Sequence, residues 1–290
     1  MKKKIRIIIN PISGTGKQAK AEKAINTWLN STLFDSEIMF AQQKGDFILL
    51  AKEAAEKSYD AVIIVGGDGS INEAAQVLIG TRTALGIIPI GSGNGFARHL
   101  NIPMSLELAV KKINQFNTKQ IDTVNINGHK FVSISGLGFD AHIAQKFSLA
   151  KKRGLWNYAK ISILEFFRYS EKEYNLKLDE DPINRKAFMV VFANANQFGN
   201  NFIISPEAKI NDGLLDICIV KKPKVYHIPF VLIKILQKKI HETKWVEIVK
   251  AKRVEIVLNN KVIMNIDGEA ILQSKTIHIA INPLSLTVIS

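Results

Sequence analysis

Apolar strands alternate with helices in the first third of the chain, and this order constrains the fold more than any other feature. The runs of strand length are continuous and apolar, and they cover residues 5–9, 38–41, 61–65 and 85–90. Segments with the apolar spacing of a helix lie between them, at 19–29, 47–55 and 71–79. Buried strands separated by helices indicate a parallel sheet with helices on both faces. Ligands of such sheets bind beyond the carboxyl ends of the strands.

Short strands with turns between them replace this alternation after about residue 118. Asn127-Gly128 is a strong hairpin signal between the runs 121–126 and 130–134. Further strand-like runs cover 187–193, 214–220, 245–249, 254–258, 262–266, 277–281 and 284–289. Helical segments interrupt them near 155–170 and 225–240. The pattern predicts a β-sandwich, so we expect an α/β domain over 1–120 and a β-sandwich domain over 121–290.

The charge balance favours anionic partners. Lysine and arginine number 39 against 26 acidic residues, a formal net charge of +13, which attracts nucleotides, nucleic acid or anionic membranes. We find no nucleic-acid-binding motif and expect no nucleic-acid partner. The single cysteine, Cys218, excludes an internal disulfide and fits a reducing compartment. No apolar run is long enough to span a bilayer and no signal peptide is visible, so we expect a cytoplasmic protein able to touch the inner membrane face.

Glycine-bearing loops follow three of the predicted strands. The first loop, residues 10–17, lacks the Ser or Thr that follows the lysine of a Walker loop, and a plain turn explains it equally well. The second loop is Gly66-Gly67-Asp68-Gly69-Ser70 and the third is Gly91-Ser92-Gly93-Asn94-Gly95. Glycines let backbone amides approach an anion, and the following helix adds unpaired N–H groups. Three such loops at one edge of a sheet predict a nucleotide-phosphate site.

Two residues of the second loop have additional interpretations. Ser70 suits the N-cap of the next helix, and Glu73 would complete a capping box with it. Asp68 would be repelled by phosphates unless a cation or a donor hydroxyl lies nearby. We therefore infer Mg²⁺ or an acceptor alcohol close to Asp68.

Motifs spread from residue 10 to residue 269 carry a resemblance to a known family. They are Asn10-Pro-x-Ser-Gly14, Gly66-Gly-Asp-Gly-Ser-x-Asn-Glu73, Pro89-x-Gly-Ser-Gly-Asn-Gly-Phe-Ala-Arg98, Gly136-Leu-Gly-Phe-Asp140, Ser205-Pro-Glu-Ala208, Asn211-Asp-Gly-Leu-Leu-Asp216 and Asp267-Gly-Glu269. In this order they resemble the diacylglycerol kinase catalytic-domain family, which includes bacterial lipid kinases, sphingosine kinases and ceramide kinases. The resemblance covers nearly the whole chain.

The resemblance implies an N-terminal α/β domain like that of NAD kinases and phosphofructokinases, and a C-terminal β-sandwich whose last strands return towards the first domain. It implies ATP in the interdomain cleft, bound by Asn10, Pro11, Ile12, Ser13, Gly14, Gly66, Gly67, Asp68, Gly69, Ser70, Asn72, Glu73 and Ser92. It places the general base on Asp267. It also implies a structural Mg²⁺ held by Asp212 and the backbone carbonyls of Lys209 and Leu214.

The carboxylates have alternative interpretations. Asp68 is the rival base; we expect Asp267 to take the proton and Asp68 to organise the metal and the acceptor. Asp-Gly is also a favoured hairpin turn, which would explain position 267 without catalysis. Glu269 contacts the ATP ribose or a metal, or is a solvated charge at a sheet edge.

Other acidic positions are equally open. A simple turn would also explain Asp212-Gly213, and we expect Asp122 and Asp140 to hold water and Mg²⁺. The chain departs from the family pattern at Ala41, where a threonine is common, and at Gly95, where an aspartate is frequent.

The expected reaction is ATP- and Mg²⁺-dependent phosphorylation of a lipid hydroxyl, with diacylglycerol converted to phosphatidate. A sphingoid-base or ceramide kinase and a nucleotide-binding regulator without turnover remain alternatives. Expected partners are the lipid substrate at the membrane surface and anionic phospholipid headgroups. The segments 146–160 and 224–240 could lie at such a surface, or could pack on the sandwich with a solvated basic face. The oligomeric state stays open, a homodimer included.

Overall fold

The chain forms two compact units. The computed structural model describes residues 1–11, 17–43, 45–149 and 155–290. The first unit comprises Met1–Thr123 together with Pro283–Ser290, and the second comprises Val124–Asn282.

The first unit contains the predicted parallel sheet. Its strand order is β2-β1-β3-β4, with each neighbouring pair parallel. The strands are β1 (Lys3–Ile9), β2 (Phe34–Phe40), β3 (Ala61–Gly66) and β4 (Ala84–Pro89). The helices are α1 (Lys17–Trp28), α2 (Asp46–Glu56), α3 (Asp68–Leu78), α4 (Gly95–His99) and α5 (Leu106–Gln115). Every residue of β3 and β4 is buried, as expected for central strands covered on both faces.

One charged side chain lies inside this sheet. Arg6 on β1 is 2% exposed. Its guanidinium bonds Glu37 at 2.8 Å and Glu53 at 3.0 Å, and lies 4.9 Å from the centre of the Tyr59 ring. These partners satisfy a charge that would otherwise be costly to bury.

The end of the chain completes the first unit. Strand β16 (Thr276–Ile289) begins in the second unit, and its last part pairs in parallel with β4 through Val288 and Leu85. Ser290 donates its N–H to the Asn117 carbonyl at 3.0 Å. The two strands predicted at 277–281 and 284–289 are thus one continuous strand.

The second unit is built mainly of antiparallel sheet. One sheet has the order β12-β11-β10-β7-β14-β15, and the other continues from β16 through β13 and β8 to β9, with β5 and β6 attached. The strands are β5 (Thr118–Ile126), β6 (His129–Phe131), β7 (Ile134–Gly138), β8 (Lys172–Leu178), β9 (Asp181–Ala187), β10 (Met189–Ala193), β11 (Leu215–Val220), β12 (Val246–Ala251), β13 (Arg253–Val257), β14 (Val262–Ile266) and β15 (Glu269–Gln273). The helices are α6 (Phe139–Ser148), α7 (Leu155–Arg168) and α8 (Ile228–Leu236), with short 3₁₀ turns at Val225–His227 and Ile240–Glu242.

Side chains from both sheets form the larger core of the second unit. Phe131, Phe192, Ile217, Ile256 and Ile277 are fully buried in it. This packing confirms the predicted β-sandwich. Helix α6 and strands β7, β8, β9 and β15 are additions to the sequence prediction.

Across the described residues, no helix combines the length and the apolar character needed to cross a membrane.

Candidate active site

A side-chain hydrogen bond joins the loops that follow β1 and β3. Asn10 comes directly after β1, and its Nδ2 donates to Ser70 Oγ at 2.9 Å. Its backbone N–H donates to the carbonyl of Val65 at 3.0 Å. The first and second loops of the sequence analysis therefore meet at the carboxyl end of the sheet. Pro11 directly follows Asn10 and is the last residue described before a gap in the structure. Ile12, Ser13 and Gly14 lie outside the described residues.

Glycine backbone brings the second and third loops into contact. A Cβ added to Gly91 would lie 2.6 Å from Gly67 Cα, which is well inside the normal separation of two carbon atoms. Asp68 Oδ1 also accepts the backbone N–H of Phe96, at the start of α4, at 3.2 Å. All three predicted loops thus converge on the beginning of α3.

The beginning of α3 differs from the predicted capping box. Gly67 is the N-cap, in an extended conformation and with no side-chain cap, so the helix starts at Asp68. The predicted N-cap role of Ser70 is therefore wrong. Glu73 instead accepts the N–H of Gly45 with its Oε2 at 3.2 Å. Helix α3 thus begins three residues earlier than predicted, because Gly67, which directly follows β3, takes the N-cap position.

The first turn of α3 offers hydrogen-bonding groups to an anion. The first N–H groups of a helix have no partner within the helix, and the N-cap residue, Gly67, has no side chain to cap them. Gly69 is exposed, and a Cβ at this position would meet nothing within 4 Å. Ser92 in the third loop is also exposed. Asn72 is 4% exposed, and its buried Oδ1 has no hydrogen-bond partner among the described residues.

Burial changes the acidity of Asp68. It raises the pKa of the Asp68 carboxyl above its usual value, against the opposing effect of backbone hydrogen bonds from the start of α4. A carboxylate with a raised pKa is a stronger base. Gly93 lies beside this group, since a Cβ there would be 3.2 Å from Asp68 Oδ2.

Asp267 is fixed by backbone amides in the second unit. It is 8% exposed. Its Oδ1 accepts the N–H groups of Ser133 at 3.0 Å and Ile134 at 2.9 Å, and its Oδ2 accepts that of Val132 at 2.9 Å. Asp267 and Gly268 have φ values of 46° and 92°, the left-handed conformations of a tight hairpin turn. The hairpin interpretation is confirmed, and it also orients the carboxylate rigidly.

A buried polar pair supports this turn. Asn265 on β14 accepts the Gly268 N–H at 2.9 Å with its Oδ1, and its Nδ2 donates to Asp140 Oδ2 at 2.9 Å. Burial raises the pKa of Asp140 to about 6. A Cβ at Gly136 would lie 2.3 Å from Asp140 Oδ2, so only glycine leaves room for this carboxyl. Asn265 was not among the predicted site residues, although a polar side chain in a buried strand, two residues before Asp267, was the available signal.

The remaining predicted acidic residues have structural contacts. Asp122 is fully buried and its Oδ1 accepts the N–H of Leu284 at 2.7 Å, so it anchors the end of the chain in the first unit. Glu269 is the half-buried first residue of β15.

The residues predicted to hold a structural Mg²⁺ form a turn. Asp212 Oδ1 accepts the Leu214 N–H at 3.1 Å, and Gly213 has a φ of 70°. Lys250 Nζ lies 3.8 Å from Asp212 Oδ2 and 3.3 Å from Asp216 Oδ1. The turn interpretation is confirmed. Carboxylate and carbonyl oxygens suit a hard cation, but the ammonium group of Lys250 already supplies positive charge here. The ligand role of Lys209, Asp212 and Leu214 stays a prediction, and among the described residues no group of three His, Cys, Asp or Glu side chains could hold a metal ion.

The departures from the family pattern have ordinary environments. Ala41 is 4% exposed, and its N–H donates to the Ile9 carbonyl at 3.0 Å. Gly95 is the buried first residue of α4.

Comparison with known proteins assigns the family. Residues 4–126 match the model of the diacylglycerol kinase catalytic domain, and residues 133–290 match that of the YegS C-terminal NAD kinase beta sandwich-like domain. A protein named diacylglycerol kinase from Bacillus subtilis (strain 168) is 31% identical over 280 residues, which cover 92% of this chain and 90% of that protein. The chain belongs to the diacylglycerol kinase catalytic-domain family. The resemblance carried by the sequence motifs is thereby confirmed.

Other members of the family agree in sequence and fold. A diacylglycerol kinase of Mycobacterium tuberculosis is 31% identical over 226 residues, 75% of this chain and 73% of that protein. A crystal structure of a diacylglycerol kinase from Bacillus anthracis str. Sterne has a TM-score of 0.74 at 23% identity and covers 99% of this chain and 96% of its own. A second solved structure from that organism has a TM-score of 0.80 at 26% identity and covers 99% of this chain and 97% of its own. Family membership makes this chain a lipid kinase by class.

Proposed function

We propose that the protein transfers the γ-phosphoryl group of ATP to the free hydroxyl of diacylglycerol, forming phosphatidate and ADP. The observation that carries this proposal is the convergence of three strand-end loops on α3, through the Asn10–Ser70 hydrogen bond and the Gly67–Gly91 contact. A relative aligned over 92% of the chain and named diacylglycerol kinase supports the choice of acceptor.

The phosphates of ATP would lie against the first turn of α3. Unpaired N–H groups and the helix dipole favour an anion there, by about 0.3–2 kcal/mol for the dipole effect. Gly69 is open to such an approach because it has no Cβ and no neighbour within 4 Å of that position. Phosphoryl transfer passes through a loose transition state, so catalysis depends mainly on positioning and on offsetting charge.

Mg²⁺ carried by the ATP phosphates would neutralise charge on the phosphoryl oxygens. We assign Asp68 to this ion, because a carboxylate is a hard oxygen donor and Asp68 is the first residue of α3, where the phosphates would lie. In the same step the acceptor oxygen forms a bond to the γ-phosphorus while the bond from that phosphorus to the bridging oxygen breaks.

Asp267 would accept the proton of the attacking hydroxyl. Three backbone amides fix its carboxylate in one orientation. In a loose transition state the proton leaves late, so a positioned carboxylate suffices to accept it. Asp68, whose carboxyl has a raised pKa, is the rival.

The test measures phosphoryl transfer and ATP binding in separate assays. We expect Asp267→Asn to lower kcat by about 10²–10⁴-fold while ATP binding changes little. Asp179→Asn is the matched control, because Asp179 is also a turn residue whose carboxylate accepts backbone N–H groups, from Lys252 and Arg253. If Asp267→Asn retained full turnover, or if Asp179→Asn lost as much, the base assignment would be wrong.

The acceptor is tested with a panel of lipids. Radiolabelled transfer from ATP to diacylglycerol should exceed transfer to ceramide and to a sphingoid base. Preference for either of the other lipids would replace diacylglycerol as the substrate. ATP binding without transfer to any lipid would favour the regulator instead.

A further inference from the structure

Helix α8 is an apolar helix that packs along only one side. Val231 and Ile235 contact the smaller core cluster of the second unit. Leu232, Ile233 and Leu236 are 53%, 52% and 83% exposed, and no residue of the helix is buried. A helix that is hydrophobic on all sides is normally enclosed by protein or lipid. The outward face of α8 therefore lacks the cover that its composition calls for.

Neighbouring residues enlarge this face. Val225, Tyr226 and Phe230 are 61%, 70% and 48% exposed. We define the α8 patch as Val225, Tyr226, Phe230, Leu232, Ile233 and Leu236. It contains no charged side chain, and clusters of this kind on a protein surface mark interaction sites.

Lysines surround the α8 patch in sequence. Residues 221–245 contain seven lysines and one acidic residue, Glu242, which gives a formal charge of +6. Glu242 is engaged by Lys234 at 3.1 Å and Lys239 at 3.5 Å. Lys224 and Lys238, which lie before and after α8, are exposed.

This charge decides which partner fits. A second copy of the chain placed symmetrically on the patch would bring two segments of charge +6 together, which costs energy. An anionic bilayer attracts the lysines with its headgroups and accepts the apolar side chains below them. Tyr226 and Trp245 add aromatic rings of the type enriched at the membrane interface.

We propose that the α8 patch inserts into the surface of an anionic lipid bilayer, with the flanking lysines on the lipid phosphates. The inference rests on the proposed function in one respect: it names the surface by which the enzyme reaches a substrate dissolved in a membrane. It selects the second of the two segments predicted to meet the membrane. Residues 150–154, at the centre of the first segment, lie outside the described residues.

The test is flotation of the full chain with vesicles, without ATP or diacylglycerol. Vesicles of phosphatidylcholine alone are compared with vesicles containing about one third phosphatidylglycerol, and the wild type should bind mainly the latter. Leu232→Gln with Leu236→Gln should weaken binding at least about tenfold, since two leucines leave the lipid. Lys224→Glu with Lys238→Glu should weaken it by at least about fivefold per lysine at low salt.

Leu49→Gln with Leu108→Gln is the matched control, because these leucines lie on helices of the first unit and are 64% and 51% exposed. The control should bind vesicles as the wild type does, and circular dichroism should show all variants folded. Unchanged vesicle binding by the α8 leucine variant would overturn the proposal. If the α8 leucine variant lost a dimer that the wild type forms in sedimentation, yet still bound vesicles, the patch would instead bind a second copy of the chain and the membrane proposal would be overturned. Vesicle binding is measured without ATP or diacylglycerol, so its result does not depend on whether the protein phosphorylates lipid.

Discussion

Replacement of Gly91 by alanine tests whether contact between the second and third loops builds the nucleotide site. The new Cβ would lie 2.6 Å from Gly67 Cα and 2.7 Å from Asn94 Oδ1, so the loops must separate by about 1 Å to restore normal contact distances. Overpacking of this kind costs about 1–3 kcal/mol. For a chain of this size we expect a melting temperature lower by roughly 2–10 °C. ATP affinity should fall by about tenfold, because binding must work against the displaced loops.

Gly69→Ala is the comparison variant, in the same unit. Its Cβ meets no atom within 4 Å, and alanine favours the helix by about 0.5–1 kcal/mol over glycine. We expect a melting temperature that is unchanged or slightly higher, together with weaker ATP binding because a methyl group now stands where phosphate approaches. Calorimetry and ATP titration give both quantities. The reasoning is refuted if Gly91→Ala melts and binds ATP as the wild type does, or if the two variants lose equal stability.

Three further substitutions, one of them with a control variant, test other parts of the structure. Arg6→Ala should lower the free energy of unfolding by about 3 kcal/mol in urea titration, because it removes a side chain that is 2% exposed and leaves a cavity. Lys111→Ala, which breaks an exposed pair, should cost well under 1 kcal/mol. Ser70→Ala should cost about 1 kcal/mol, because it removes the hydrogen bond from Asn10. Burial raises the pKa of Asp140 from 3.8 to about 6, so the unfolded chain loses this proton first and stability falls as pH rises from about 4 to 6. Asp140→Asn should abolish that fall. Its free energy of unfolding should exceed that of the wild type by on the order of 2–3 kcal/mol at pH 8 and should equal it below pH 4. An equal difference at both pH values would contradict this prediction.

Regular burial made the central sheets predictable from sequence. Strands β3 and β4 are covered on both faces, so their residues are apolar without interruption and the pattern is visible locally. Strand β2 begins at Phe34, earlier than predicted. Residues 35–37 are polar and exposed, so the start of the strand carries no apolar signal. Strand β8 hides Tyr174, Leu176 and Leu178 in alternation, a pattern the sequence contained. Its partner β9 is largely exposed and carries no such signal.

The contacts of the candidate site depend on residues far apart in the chain. Glycine loops are recognisable because they follow strands, but the pairing of Asn10 with Ser70 joins positions 60 residues apart. The predicted cap at Ser70 failed because Gly67 takes the N-cap position three residues earlier, so that Ser70 lies inside α3 and its Oγ accepts the hydrogen bond from Asn10. The support of Asp267 by Asn265 required the register of a hairpin, which periodicity alone does not fix.

The return of β16 affects how the protein can be made. Leu286, Val288 and Ile289 are buried in the first unit, although they follow every residue of the second unit in the chain. The first unit therefore cannot close its core until the ribosome has made the whole second unit and then these residues. Premature stop codons after residue 282 would release a chain whose second half is complete and whose first half is missing an internal strand.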